Sequence, residues 1–204
     1  MRESQMTIQI EFYFDFVSPY SYLAATQLPA LTAGTGAEIV YRPFRLLELM
    51  KIVGNRPTTI ECKNKGNYAG ADLARWAARY KAPFQRNPHR RNFDYALFGR
   101  GALVAIDEGR GANYVDVVFR AMCAGEQDLS DTAVFAGLLD QAGFDGAGLL
   151  RAAVGAEYIA RLDQQTSDAA ERGVFGSPSF FVRDQMFFGN DRLDFVTEAA
   201  RAAA

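Results

Sequence analysis

Apolar residues alternate along the opening of the chain, at Ile8, Ile10, Phe12, Phe14 and Phe16. With Tyr13 among them they predict a buried strand over residues 8–16. Ser18 and Pro19 then have the form of an N-cap and a first-turn proline. The helix they open is carried by Tyr22, Leu23 and Leu28 to about Thr32, before Gly34-Thr35-Gly36 breaks it. Residues 38–44 form a second strand whose ladder Pro43 ends. A strand, a helical crossover and a second strand make a parallel pair.

From Leu46 the period changes to that of helices. Leu46, Leu47 and Met50 make one short apolar turn, ended by Gly54-Asn55-Arg56-Pro57. Leu73, Trp76, Ala77 and Tyr80 fall on one helical face, and Val115, Val118, Phe119 and Met122 repeat the spacing. Val134, Leu138 and Leu139 follow a Ser130-Asp131 cap, and Gly143 stops that helix. Residues 149–154 and 156–171 predict two more, up to Gly173. Sheet then returns: residues 179–182 and 185–188 form a hairpin about Arg183-Asp184. Asn190 or Asp191 caps a closing helix to Ala202. The class is α/β: a thioredoxin-like β-α-β…β-β-α sheet domain split by a large all-helical insertion. The sheet domain takes residues 1–45 and 172–204, and the insertion takes residues 46–171.

Composition narrows the chemistry. Of 204 residues 49% are hydrophobic, enough for a sizeable core, and the net charge of −2 gives no pull toward nucleic acid or an anionic membrane. Residues 1–7 are polar, with no apolar stretch of leader type, and no run is long enough to span a bilayer. With only two cysteines, Cys62 and Cys123, at no metal or redox spacing, the expectation is a cytoplasmic protein with reduced thiols. His89 is the sole histidine, so a multi-histidine zinc site is impossible and a catalytic triad would rest on it alone. The basic cluster from Arg86 to Arg91 reads as a solvated loop, with an anion site as its alternative.

Three segments carry chemistry. Ser18-Pro19-Tyr20-Ser21 has the layout of a Cys-x-x-Cys motif, strand to helix, with hydroxyls in place of both sulfurs. Such a site has no disulfide of its own but can hold another molecule's thiolate, through the Ser18 hydroxyl and the helix N-terminus. The plain alternative is that Ser18 only caps its helix. Second, Gly176-Ser177-Pro178-Ser179 sets an X-Pro bond before a strand; a cis bond there would turn the Ser177 N–H and C=O outward toward an extended ligand. An ordinary trans turn is its alternative. Third, Gly189-Asn190-Asp191-Arg192 offers a carboxylate and N–H groups suited to an amino-acid zwitterion, or a plain cap.

All three segments resemble those of one family. Residues 14–24, reading FDFVSPYSYLA, are similar to the opening of the 2-hydroxychromene-2-carboxylate isomerases and their kappa-class glutathione transferase relatives, in the DsbA-like superfamily. Lys51-Ile52-Val53-Gly54-Asn55-Arg56-Pro57 resembles their Lys-x-x-Gly-Asn-x-Pro segment. Gly173-Val174-Phe175-Gly176-Ser177-Pro178 and Phe188-Gly189-Asn190-Asp191-Arg192 resemble their two C-terminal glutathione motifs. Asn190 before Asp191 points to the isomerase branch.

The resemblance implies a glutathione-dependent cis–trans isomerase in naphthalene-type aromatic catabolism, interconverting a hydroxychromene carboxylate and a trans-benzylidenepyruvate by reversible thiolate addition. It implies that Ser18 steadies the glutathione thiolate and that Ser177, with Pro178, pairs with the cysteinyl backbone. Asn190 and Asp191 would hold the γ-glutamyl end. Asn55 would face thiol or substrate and Lys51 the substrate carboxylate, with Arg90 or Arg91 as a weaker candidate. Trp76 and Tyr80 belong to the core or to an apolar substrate wall. The run Thr58-Thr59-Ile60-Glu61-Cys62-Lys63 departs from the family pattern and bears on substrate identity. A homodimer is implied. Two other readings stand beside the isomerase: a kappa-like transferase or peroxidase, and a thioredoxin-fold binding module without turnover. A dithiol oxidoreductase is disfavoured, and Ser21 reads as an ordinary helical residue.

Overall fold

The computed structural model describes residues 7–203. The expectation drawn from the polar residues 1–7 therefore lies, Thr7 apart, outside the described residues. In chain order the elements are β1 (Gln9–Phe14), α1 (Pro19–Ala25), α2 (Leu28–Thr35), β2 (Glu38–Pro43), α3 (Leu46–Ile52), α4 (Thr58–Glu61) and α5 (Lys63–Tyr80). They continue as α6 (Tyr95–Asp107), α7 (Gly111–Cys123), α8 (Thr132–Gln141), α9 (Gly146–Ala153), α10 (Ala156–Glu171), β3 (Ser179–Val182), β4 (Gln185–Phe188) and α11 (Leu193–Ala203).

The four strands form one sheet in the order β2-β1-β3-β4. Strand β1 runs parallel to β2, with Phe14 opposite Pro43, and antiparallel to β3, with Phe12 opposite Phe180. Alternation divides the aromatic residues between the two faces of the sheet. Ile10, Phe12 and Phe14 join Phe180 and Val182 in the larger core, where the Phe12 ring stacks on Phe14 at 4.9 Å and on Phe180 at 5.1 Å. Tyr13 and Phe181 face the other way, onto Phe44, Leu49, Ala169 and Val174. Helices α3 and α10 therefore cover one face, and α1, α2, α7 and α11 pack on the other side. Among the described residues no helix is long and apolar enough to cross a membrane.

The order of elements is the expected one, and the departures are local. Strand β1 stops at Phe14 rather than Phe16, because Asp15 turns the chain. The helix expected to reach Thr32 is two helices, interrupted at Thr26 and Gln27. Pro29 explains the break: it has no N–H for the Ala25 carbonyl and its ring would crowd that oxygen, so a new helix starts with Pro29 in its first turn. Thr26 Oγ1 donates to the Leu23 carbonyl at 2.7 Å and helps close the first helix.

Helix α6 is absent from the sequence expectation. Gly99 and Gly101 weaken its helical signal, since glycine costs about 1 kcal/mol in a helix interior. At Gly101 the reason is close approach: a Cβ would collide with the phenol of Tyr114, which donates to the Phe98 carbonyl at 3.1 Å. The closing helix has no side-chain cap from Asn190 or Asp191. A 3₁₀ turn, Asn190–Arg192, leads straight into α11 instead.

Candidate active site

Asp15 ends β1 and shapes the turn that follows. Its carbonyl accepts the Ser18 N–H at 3.1 Å, and its carboxylate accepts N–H groups from Val17 at 3.0 Å and Leu46 at 2.6 Å. Burial pushes the Asp15 carboxyl up to about 6, against those two hydrogen bonds and the charge of Arg45. No chemistry was expected of Asp15 from the sequence; its signal is an acidic residue closing an aromatic strand.

Ser18 caps α1, accepting the Ser21 N–H at 3.3 Å, and is only 6% exposed. The cap and the ligand-facing reading are not exclusive, because Ser18 Oγ also donates to the carbonyl of Ser177 at 3.0 Å. The Ser177–Pro178 bond is cis, and β3 follows directly. Ser177 Oγ accepts the Asp15 N–H at 3.0 Å and lies 2.7 Å from Ser21 Oγ.

The Ser177 carbonyl accepts the Ser18 hydroxyl through one of its two lone pairs, while the Ser177 N–H has no hydrogen-bond partner among the described residues. One expectation changes here. Ser21 is not an ordinary helical residue: it is fully buried and pins the side chain of Ser177. At seven residues α1 is also short, so the polarity of the site rests on these hydroxyls and main-chain groups rather than on a long dipole.

The third segment joins the same place. Gly189 N–H donates to the Pro178 carbonyl at 2.9 Å, and the 3₁₀ turn after it packs against α1. Gly189 has φ +105°, and a Cβ there would stand 2.5 Å from Asp191 Oδ1. Asn190 is 3% exposed, and its buried Nδ2 has no hydrogen-bond partner among the described residues. Its carbonyl accepts the Tyr80 hydroxyl at 2.5 Å, so α5 is fastened to this turn. Asp191 is exposed and paired with Arg192 at 2.5 Å.

The remaining expected residues divide. Asn55 Nδ2 donates to the Phe175 carbonyl at 2.7 Å, two residues before Ser177, and so belongs to the site's margin. Lys51 pairs with Glu48 at 3.1 Å and is largely exposed. Arg90 lies in a 3₁₀ turn with its guanidinium on the Asn87 carbonyl, and Arg91 is exposed; neither touches the serines. Trp76 packs half-buried beside Tyr80, with ring centres 5.2 Å apart. His89 pairs with Asp128 at 3.3 Å. Cys123 is buried, its thiol pushed up to about 12 by that burial, and Cys62 is exposed. No grouping of three or more metal-ligating side chains occurs among the described residues.

A cleft of about 470 Å³ is lined by Tyr20, two residues along α1 from Ser18, and by Thr59, Asn64, Lys65, Tyr68 and Ala69; Ser18 and Ser177 are not part of its lining. Tyr20 donates to Asp72 at 3.2 Å, and burial and that carboxylate push its phenol up to about 12. Thr59 belongs to the run that departs from the family pattern. Tyr20, Lys65 and Tyr68 were not expected at a site, since α1 and the first turns of α5 that carry them are brought together only by the fold.

A family profile described as the DSBA-like thioredoxin domain matches residues 9–201. A 2-hydroxychromene-2-carboxylate isomerase of Sphingobium xenophagum is 35% identical over 192 residues, covering 94% of this chain and 97% of that protein. A solved structure of a 2-hydroxychromene-2-carboxylate isomerase superposes with a TM-score of 0.86 at 32% identity, covering 96% of both chains. Over a shorter stretch of 50 residues, 24% of this chain and 22% of the other, the similarity is 50% to glutathione S-transferase kappa 1 of Caenorhabditis elegans. A thioredoxin fold whose motif serines replace both cysteines, and whose cis-proline loop is anchored by them, belongs to the DSBA-like thioredoxin domain family and, within it, to the 2-hydroxychromene-2-carboxylate isomerases.

Proposed function

We propose that this isomerase interconverts 2-hydroxychromene-2-carboxylate and its open-chain trans isomer with glutathione as a recycled cofactor. The observation that carries the reading is the Ser18 hydroxyl on the Ser177 carbonyl, beside an unpaired Ser177 N–H and the unpartnered Asn190 Nδ2. A buried amide nitrogen without an acceptor costs about 1–3 kcal/mol, which a ligand oxygen would relieve. These donors fit a peptide carbonyl and a γ-glutamyl carboxylate, with Asp191 available to the ammonium group once it shares Arg192.

Bound glutathione would supply a thiolate that adds reversibly to the β-carbon of the enone, so that the double bond can turn. The chain's part is to hold that sulfur charged and to bind the ring. Ser18 donates to the sulfur, the Ser177 main chain with Pro178 orients the cysteinyl residue, and Asn55 braces the loop that carries Phe175. The cleft between Tyr20 and Tyr68 suits a planar ring. Lys65 and Asn64 face it with a positive charge and an amide for the substrate carboxylate, a place for which Lys51 is engaged by Glu48. The two-part division at residues 45–46 and 171–172 is retained in this reading, with the helical part supplying that wall.

Ser18→Ala tests the core of the proposal. Titrated by ultraviolet thiolate absorbance, bound glutathione should ionise near its free value of about 8.5 in the variant and at least about one unit lower in the parent. Equal values would remove Ser18 from the chemistry. Lys65→Met should raise KM for the chromene at least about tenfold, with Lys51→Met close to the parent; the reverse ranking would return the carboxylate to Lys51.

Similarity to the kappa transferase favours a second reading, net thiol transfer, and glutathione consumed in step with substrate would establish it. We further read the protein as a cytoplasmic homodimer, in keeping with its unpaired thiols and with the family; sedimentation at micromolar concentration checks the dimer.

A further inference from the structure

We propose that the Ser18 hydroxyl is a one-proton switch: its proton rests on the Ser177 carbonyl, and the amide N–H of an arriving peptidic thiol releases it toward the sulfur. The inference rests on the glutathione reading and concerns which thiols the site ionises. A serine has one hydroxyl proton. Here it is committed to the Ser177 carbonyl at 3.0 Å, and that carbonyl has no other hydrogen-bond partner among the described residues. Ser18 and Ser177 are 6% and 9% exposed, so a thiol ligand seated over them leaves little room for water to replace the hydroxyl.

Turning the hydroxyl toward a thiolate therefore strands a buried carbonyl, unless the ligand brings a donor of its own. Nor can the carbonyl easily swing away to find one. Ser177 Oγ is held by the Asp15 N–H at 3.0 Å and lies 2.7 Å from the fully buried Ser21 Oγ. Ser21 is thus a positioning residue. A thiol whose cysteinyl N–H reaches the Ser177 carbonyl frees Ser18 to donate to sulfur; a thiol without that N–H leaves Ser18 where it is. Ser18 keeps its proton throughout, and the thiol's proton passes to solvent. Selectivity for a peptidic thiol then lies in the acidity that the site confers, and less in affinity.

The test compares glutathione with its ester analogue, in which oxygen replaces the cysteinyl N–H. At about pH 6, where both thiols are protonated, calorimetry should find dissociation constants within about tenfold of each other. Bound-thiolate absorbance should then show glutathione ionising at least about one unit below its free value and the ester analogue less than about half a unit below its own. Ser21→Ala should bring the two bound values together by letting Ser177 turn. An ester analogue as acidic as glutathione, or an affinity gap at pH 6 well beyond tenfold, overturns the switch while leaving the isomerase reading intact. Failure of glutathione to bind or to ionise overturns both.

Discussion

Asp15 sits where three segments meet, its carboxylate oxygens accepting the Val17 and Leu46 N–H groups and its main-chain N–H donating to Ser177 Oγ. Burial raises its carboxyl to about 6, above the unfolded value near 3.8. Because the folded state holds this proton more tightly, stability falls as pH rises between those two values. Asp15 thus stabilises least where it is fully ionised, above about 6. Asp15→Asn removes the titration, so the unfolding free energy of the parent minus that of the variant should rise as pH falls from about 6 to about 4, measured in urea. A flat difference would show that Asp15 ionises normally. Of the residues here, Ser18, Ser177 and Asn190 were legible because short motifs carry them. Asp15 and Ser21 were not, since their roles come from partners far along the chain, at Leu46 and Ser177.

Turns and helix ends were read less well than the elements between them, and for steric reasons. Pro29 splits the first helix through a missing N–H, and Gly101 hides a helix whose neighbour Tyr114 needs the space. Gly189 reads in the sequence only as a residue following a strand, and the structure supplies both its positive φ and what depends on it. A methyl group there strains φ +105° and collides with Asp191 Oδ1. Gly189→Ala should therefore weaken glutathione binding more than about tenfold and lower stability by about 1–3 kcal/mol, read by calorimetry and urea unfolding. Unchanged affinity with lowered stability would detach this turn from the ligand. The parallel β1–β2 pair and the β3–β4 hairpin were legible, because alternation and the hairpin turn leave few alternatives; the antiparallel β1–β3 pairing that joins them came from the structure.

At the scale of the molecule, the sheet and the helices between β2 and β3 share a core. Phe16 packs on Phe119 at 4.6 Å and edge-on to Phe98 and Tyr114, so α6 and α7 bury the turn that follows β1. Urea unfolding should accordingly give one transition, with far-UV dichroism and the fluorescence of Trp76, the lone tryptophan, coinciding. Two separated midpoints would show that the insertion folds alone. Phe119→Ala should cost about 3–5 kcal/mol in both signals together. The contact of Ser18 with Ser177 spans 159 positions of chain, and β1 finds its β3 partner only across a still longer interval. During synthesis, then, β1 waits through the whole helical segment with its β3-facing edge unpaired. A nascent chain halted before Gly173 already contains Ser18 but lacks the carbonyl its hydroxyl is built to meet. On the proposed glutathione reading, thiol binding would then await the segment from Gly173 onward, and glutathione capture would time the end of folding.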